Sequence, residues 1–268
     1  MTVSTEQLQA DDDDVSGITS HIVDELEDSK LPQQILGSAY EPLQLFHQKL
    51  MREGEARGII GPRDTPILWE RHILNSAAVI PFIVDSLDKQ RHSHGIADLG
   101  SGGGFPGIVI AACLPDVPVT LIEPMERRIQ WLNEVVELMQ LKNVSLLRAR
   151  AEDLTGPQQG LLHQSSAHAS KQQSVSGAIS MNQTDKKNFT FSVVTCRAVA
   201  PMRKLAPLAL PLLLPGGQLI ALKGRTASIE LEKAQSAIKK AKGIHAQVCE
   251  AAVGTGLEDT HVVIVSKR

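Results

Sequence analysis

Asp98-Leu99-Gly100-Ser101-Gly102-Gly103-Gly104-Phe105-Pro106-Gly107 lies between two short apolar runs, Gly95-Ile96-Ala97 before it and Ile108 to Leu114 after it. The first run reads as a strand that ends in an acid and a glycine. The second, opened by Pro106, reads as a helix, because proline suits a first turn. A glycine-rich turn from strand to helix is the place where open α/β sheets hold ligands. Glycines there let the backbone turn tightly and approach a ligand with no Cβ in the way.

Two patterns overlap in this loop. Gly102-x-Gly104-x-x-Gly107 has the spacing of a dinucleotide loop, a weak signal when it stands alone. Asp98-x-Gly100-x-Gly102-x-Gly104 is an acid followed by alternating glycines, the form of loops that bind S-adenosyl-L-methionine. A dinucleotide loop offers amides and a helix N-terminus to a pyrophosphate, and an acid at its mouth would repel that anion. S-adenosyl-L-methionine carries a sulfonium, an ammonium and a carboxylate, so an acid and bare amides both find partners. The methyl-donor reading is the better one. Glu123 closes the next apolar run about 20 residues on, where a carboxylate can accept both ribose hydroxyls; a strand-end acid capping the following helix is the alternative. Ala151 and Glu152 follow the third strand at the same sheet edge, within reach of an adenine.

Beyond the loop, strands and helices alternate. VTLIE, VSLLRAR, FSVVTCRAVA and QLIALKG read as strands. Between them, MERRIQWLNEVVELMQL has Ile129, Leu132, Val135, Val136 and Met139 at helical spacing. Leu205 to Leu214 reads as a helix stopped by Pro215-Gly216-Gly217, and Ser228 to Lys242 as a helix with a serine N-cap and a basic last turn. AQVCEAAV and HVVIVSK read as a closing antiparallel hairpin. The expectation is an α/β, seven-stranded, Rossmann-like class I methyltransferase sheet with helices on both faces and an N-terminal helical extension.

Three regions follow. Residues 1–30 read as a disordered acidic leader, 31–90 as the helical extension, and 91–268 as the S-adenosylmethionine-dependent domain with a flexible Gln- and Ser-rich insertion at about 156–188. The net charge of −3 is uneven: the leader carries nine acids against Lys30, giving −8 and leaving +5 for the remainder. A mildly basic body suits a polyanionic partner. Arg127, Arg128, Arg203, Lys204, Arg225, Lys239, Lys240 and Lys242 would supply a phosphate-facing surface if they share a face.

Composition closes several routes. Apolar residues are 42% of the 268, enough for a sizeable core, while aromatics are 3%, too few for a module that binds RNA chiefly by stacking bases. No apolar run reaches the roughly 18 residues of a membrane span, and the start lacks a basic-then-apolar secretory pattern. Cys113, Cys196 and Cys249 are odd in number and far apart, so a reducing cytosol is expected and a disulfide framework is not. Nine histidines without tight spacing imply no metal site, and His92-x-His94 reads as an exposed loop pair.

The glycine loop, RHILNS (Arg71 to Ser76), RAED (Arg150 to Asp153), CRAVAP (Cys196 to Pro201) and ALKG (Ala221 to Gly224) occur together and in order. Over about residues 38–155 and 189–268 the chain resembles the bacterial small-subunit ribosomal RNA guanine-N7 methyltransferases, the glucose-inhibited division protein B family. The resemblance implies a cytoplasmic enzyme that methylates N7 of a guanine in the 530 loop of 16S rRNA (the position 527 type). It also implies cofactor contacts at Gly100, Phe105, Ala151, Glu152, Arg197 and Glu123. RGIIGPRDTPILWE stands where many members carry Asn-Leu-Thr, and the insertion is long for the family.

Guanine N7 has a free lone pair and no proton, so its methylation needs no general base. No Ser/His/Asp or Cys/His machinery is legible, nor an Asp-Pro-Pro-Tyr motif for amino groups. The task is to hold N7 in line with the methyl group and to tolerate charge moving onto the purine. His72 is the first candidate for positioning the substrate, against a histidine merely packed under the loop. Arg150 and Arg197 are expected at the ends of neighbouring strands, and Arg197 to orient the cofactor or the guanine O6, against an ion pair with Asp98 or Glu123. Lys223 ends the fifth strand, facing phosphate or plain solvent. The cofactor set is Asp98, Gly100, Ser101, Gly102, Gly104, Phe105, Glu123, Ala151, Glu152 and Arg197. The partner that the resemblance implies is 16S rRNA or the small ribosomal subunit, and no membrane, no metal and a monomeric chain are expected. A small-molecule methyltransferase and a non-catalytic S-adenosylmethionine-binding assembly factor remain as alternatives. Salt should barely affect the first, and the second would make no methylated product.

Overall fold

The computed structural model describes residues 23–90, 94–155 and 190–268; most of the acidic leader, His92 and the 156–188 insertion lie outside the described residues. Four helices come first: α1 (Leu31–Leu36), α2 (Tyr40–Lys49), α3 (Asn75–Ala77) and α4 (Ile80–Asp88). Wider, π-helical turns at Leu50–Gly54 and Trp69–Leu74 continue α2 and lead into α3. Then β1 (Ile96–Leu99), α5 (Gly107–Cys113), β2 (Val119–Ile122), α6 (Glu126–Leu138), β3 (Val144–Leu147) and α7 (Ala151–Thr155) alternate. β4 (Phe191–Arg197), α8 (Met202–Ala209), β5 (Leu213–Lys223), α9 (Ala227–Lys240), β6 (Gly243–Ala251) and β7 (Thr260–Lys267) complete the described chain.

The seven strands form one sheet in the order β3-β2-β1-β4-β5-β7-β6. β1 to β5 run parallel, and β7 is antiparallel to both β5 and β6. This is the expected class I methyltransferase sheet, including its antiparallel edge. The chain builds β2 and β3 on one side of β1 and returns to place β4 on the other. The C-terminal edge between β1 and β4 is therefore the switch point at which such sheets form a crevice.

Strand residues alternate between two cores, because successive side chains point to opposite faces. Ile96, Val193 and Ile220 join the N-terminal helices, α5 and α6, while Ala97, Val194 and Ala221 join α8 and α9. The helical extension is thus no appendage: Leu43, Phe46, Ile73 and Ile83 share a core with β1 and α5.

Several local expectations shift. Asp24, within the acidic leader, is buried: its Oδ2 accepts the Trp69 N–H at 2.9 Å and faces His47 Nε2 at 3.3 Å, and its Oδ1 accepts the Leu26 N–H. Burial works to raise this carboxyl, but His47 and the two amides together hold it below its usual range. Pro215-Gly216-Gly217 does not end a helix; it lies inside β5, where the pairing with β4 slips between Phe191 and Val193. The last long helix starts at Ala227 after Thr226, with no side-chain cap, so Ser228 is not its N-cap. In α6, Trp131, four residues before Val135 and absent from the expected inward set, is fully buried, while Ile129 is only partly covered.

Candidate methyl-donor site and acceptor cleft

Asp98 is fully buried at the end of β1, with Oδ2 accepting the Gly107 N–H at 3.0 Å. A Cβ at Gly107 would strike Leu121 and lie 2.5 Å from that same oxygen, so only glycine lets helix α5 start this close to the acid. Asp98 Oδ1 has no hydrogen-bond partner. Burial, partly opposed by hydrogen bonds, lifts the carboxyl to about 7.

The loop spends its amides on the protein. The Gly100 and Ser101 N–H groups donate to the Ile122 carbonyl, those of Gly104 and Phe105 to the Ser101 carbonyl, and that of Gly102 to Glu123 Oε2 at 2.9 Å. Glu123 Oε1 takes the Met125 N–H, also at 2.9 Å, so the carboxylate both caps the entry to α6 and ties down the loop. The bare amides expected here are largely engaged; what the loop offers is closeness of backbone. Gly100, Gly102 and Gly104 have φ of 73°, 55° and 110°, the left-handed region where a side chain is strained. A pyrophosphate finds neither the free helix N-terminus nor the positive field it needs, since Asp98 occupies that terminus.

The loop rests on an outer wall built from α6 and the helical extension. The Trp131 Nε1–H donates to the Gly103 carbonyl at 3.0 Å. Lys49 Nζ and the Arg57 guanidinium sit 4.8 Å and 5.0 Å from the Trp131 ring. Both are bound to Glu134, and both to Glu53, which Lys49 and then Arg52 hold down at about 2. Ile59 and Phe46 close against Gly103 and Gly104.

Arg197 ends β4 on the opposite side of the loop. Its guanidinium lies 4.6 Å above the Phe105 ring, donating from Nη1 to the Arg71 carbonyl at 3.0 Å and from Nη2 to His72 Nδ1 at 2.6 Å. Burial lowers Arg197 to about 10, with Asp98 opposing, while burial and then the Arg197 charge hold His72 at about 4. His72 is therefore neutral at pH 7, and because Nδ1 accepts, its proton sits on Nε2. That atom is buried without a hydrogen-bond partner, 3.5 Å from Asp64 Oδ1. So Arg197 and His72, 125 residues apart, are brought together in a single unit; no ion pair of Arg197 with Asp98 or Glu123 forms.

Beside this unit opens a cleft of about 910 Å³ at the C-terminal ends of β4 and β5 and the start of the antiparallel β7. His72, Arg197 and Val199 line it, and Val199 also lies against Gly100. The glycine loop and Glu123 stand on the β1–β2 side and the cleft on the β4–β5 side, with the Arg197–His72 unit between.

Other candidates fall elsewhere. Lys223, in the cleft lining, is not a solvated strand end: its side chain is buried, donating to the Ala200 carbonyl at 2.7 Å and to Glu230 Oε2 at 3.0 Å, which fastens the segment after β4. Arg150 is exposed beyond β3, and β2 and β1 separate it from β4, so Arg150 and Arg197 do not end neighbouring strands. Ala151 and Glu152 open α7 at the same edge as Glu123, Ala151 partly buried and Glu152 exposed. Of the basic residues, Arg127, Arg128, Arg203, Lys204 and Arg225 sit at helix starts or strand ends on the reactive edge. Lys239 and Lys240 close α9 at the opposite edge and Lys242 follows it, so the eight do not share one face.

The thiols of partly buried Cys113 and buried Cys196, raised by desolvation to about 11 and about 12, offer no nucleophile. Among the described residues, no group of three or more His, Cys, Asp or Glu could hold a metal ion, and no helix is long and apolar enough to cross a membrane. S-adenosyl-L-methionine suits the chemistry of the donor set: Asp98 Oδ1 is a buried carboxylate oxygen without a hydrogen-bond partner, and the loop is open at Gly102, where a Cβ would meet nothing nearer than Arg128 at 3.4 Å, while Val199, Ile59 and Ile108 pack against Gly100, Gly103 and Gly104.

Residues 39–256 match the family described as GidB, rRNA small subunit methyltransferase G. Ribosomal RNA small subunit methyltransferase G of Bifidobacterium adolescentis is 51% identical over 250 residues, covering 93% of this chain and 98% of that one. The protein of the same name from Bifidobacterium longum is 50% identical over 247 residues, 92% of this chain and all of that one. Its counterpart from Thermobifida fusca is 38% identical over 248 residues, covering 92% and 86%. The glycine loop, the RHILNS turn and the CRAVAP strand end thus meet in one crevice within a sequence of that ancestry, and the chain belongs to the rRNA small subunit methyltransferase G (GidB) family.

Proposed function

We propose that this chain transfers a methyl group from S-adenosyl-L-methionine to N7 of a guanine in the 530 loop of 16S rRNA, acting on the small ribosomal subunit or its RNA as a cytoplasmic monomer without a metal. The observation that carries the reading is the contiguity of two unlike spaces. One is a Cβ-free loop flanked by Asp98 and Glu123; the other is an open cleft large enough for a nucleobase, and Phe105, Arg197 and His72 stand at their junction.

Asp98, Gly100, Ser101, Gly102, Gly104, Phe105, Glu123, Ala151, Glu152 and Arg197 would hold the cofactor. When bound, it supplies an electrophilic methyl on a sulfonium. Asp98 places negative charge beneath the loop, and Glu123 keeps the loop closed on α6 while each oxygen retains a lone pair for a hydroxyl donor. No residue needs to remove a proton, because guanine N7 carries none; in keeping with this, His72 is neutral and its Nδ1 is already engaged. The Arg197 guanidinium can donate to O6 of the base, which orients N7 and leaves it free, and His72 acts through Arg197 by holding Nη2 on its Nδ1. Arg127, Arg128, Arg203, Lys204 and Arg225 on the reactive edge face the phosphates.

The test is to map N7-methylguanine in 16S rRNA from cells with and without this protein, and to restore it with the purified chain. Loss and restoration at one guanine in the 530 loop is the expected result. Full methylation without the protein would overturn the reading.

A further inference from the structure

Methylation at N7 leaves the purine positively charged and makes N1–H more acidic. A site built only of donors would oppose that change, and the wall already described carries the Arg197 guanidinium, bound to the Arg71 carbonyl, while the Arg71 side chain is paired with Asp64. The opposite edge of guanine carries N1–H and the 2-amino group, two parallel donors that match the two oxygens of a carboxylate. The cleft lining carries Glu70, Glu230, Glu258 and Asp259. Glu230 is committed to the Lys223 ammonium and the Met202 N–H, and Glu258 to Arg225. Asp259 is exposed at the start of β7, with β4 and β5 between it and β1. Glu70 is half-buried and makes no ion pair among the described residues. It precedes Arg71 and His72 on the π-helical turn whose carbonyl and imidazole grip Arg197, and Arg197 is stacked on Phe105 of the glycine loop.

We propose that Glu70 is the specificity-determining residue of the acceptor site, reading N1–H and the 2-amino group of guanine and countering the charge that develops on the base. This rests on the guanine-N7 function proposed above. The carboxylate gains strength as charge builds, so it binds the transition state better than the ground state.

The test uses the full chain with small-subunit RNA in which the acceptor guanosine is kept or replaced by inosine, which retains N7, O6 and N1–H but lacks the 2-amino group. The wild-type chain should favour guanosine by about tenfold in kcat/KM, the worth of one hydrogen bond to a charged group. E70Q and E70A should lower kcat on guanosine and bring the ratio close to one, with unchanged melting temperature and unchanged affinity for S-adenosylhomocysteine. D259N should keep the wild-type ratio. A ratio in E70Q and E70A equal to that of the wild type, or a collapse in D259N instead, overturns the assignment of Glu70. Absence of N7-methylguanine from the wild-type chain on either RNA overturns the function itself, a distinct outcome.

Discussion

Asp98→Asn separates the electrostatic cost of the site from its packing. The wild-type carboxyl is fully buried and sits at about 7 in the folded chain against 3.8 when free. A carboxyl raised in this way binds its proton more tightly folded than unfolded. Its contribution to stability is thus fullest below the free value and is lost as pH rises from about 4 to about 7. Three units at about 1.4 kcal/mol each give a loss of about 4 kcal/mol across that window. Asparagine can still accept the Gly107 N–H and does not titrate. Whatever constant penalty its amide incurs beside the orphaned position, the stability difference between variant and wild type should move by about 4 kcal/mol in the variant's favour between about pH 4 and pH 8. For a chain of this size that is on the order of 10 °C in melting temperature. Thermal or urea unfolding of both proteins at several pH values reads it directly. The variant should also bind S-adenosylhomocysteine, which carries the same ammonium, more weakly. Parallel pH profiles for the two proteins would show that Asp98 does not titrate in this window.

Trp131→Phe keeps a ring between Lys49 and Arg57 but leaves the Gly103 carbonyl without its donor; about 1–3 kcal/mol of stability should go, with S-adenosylhomocysteine affinity falling several-fold in calorimetric titration. Gly102→Asp accepts a left-handed φ at a cost of about 1 kcal/mol and fills the space beside Arg128; cofactor binding should vanish while circular dichroism and the melting curve stay near wild type. Lys223→Met leaves Glu230 and the Ala200 carbonyl without their cation and should cost about 2 kcal/mol, seen as a lower urea midpoint at unchanged slope. Because Lys223 is buried, raising salt should not rescue it.

Legibility in the sequence tracked distance along the chain. The apolar runs of β1 to β5, the helical spacing of α6 and the acid-plus-glycine loop are local patterns, fixed by a period of two or of 3.6 and by the steric freedom of glycine. They determine the layer order, the switch point and the residue types at its mouth without any long-range contact. Trp131 shares the stripe of Val135 and Met139 at i, i+4, i+8, but its full burial depends on α2 packing against α6. Lys223 escaped because an ammonium at a strand end faces solvent unless a neighbouring segment folds over it, as residues 198–201 do. The amides of Gly100 and Gly102 could not be assigned either, since their partners Ile122 and Glu123 depend on the register of β2 beside β1. The Arg197–His72–Phe105 unit joins three segments whose encounter depends on strand order and on packing of the helical extension against the loop. Residue type and spacing are written into the chain locally; hydrogen-bond partners and burial are properties of the packed whole, because they arise between groups that only the finished sheet brings within 3 Å.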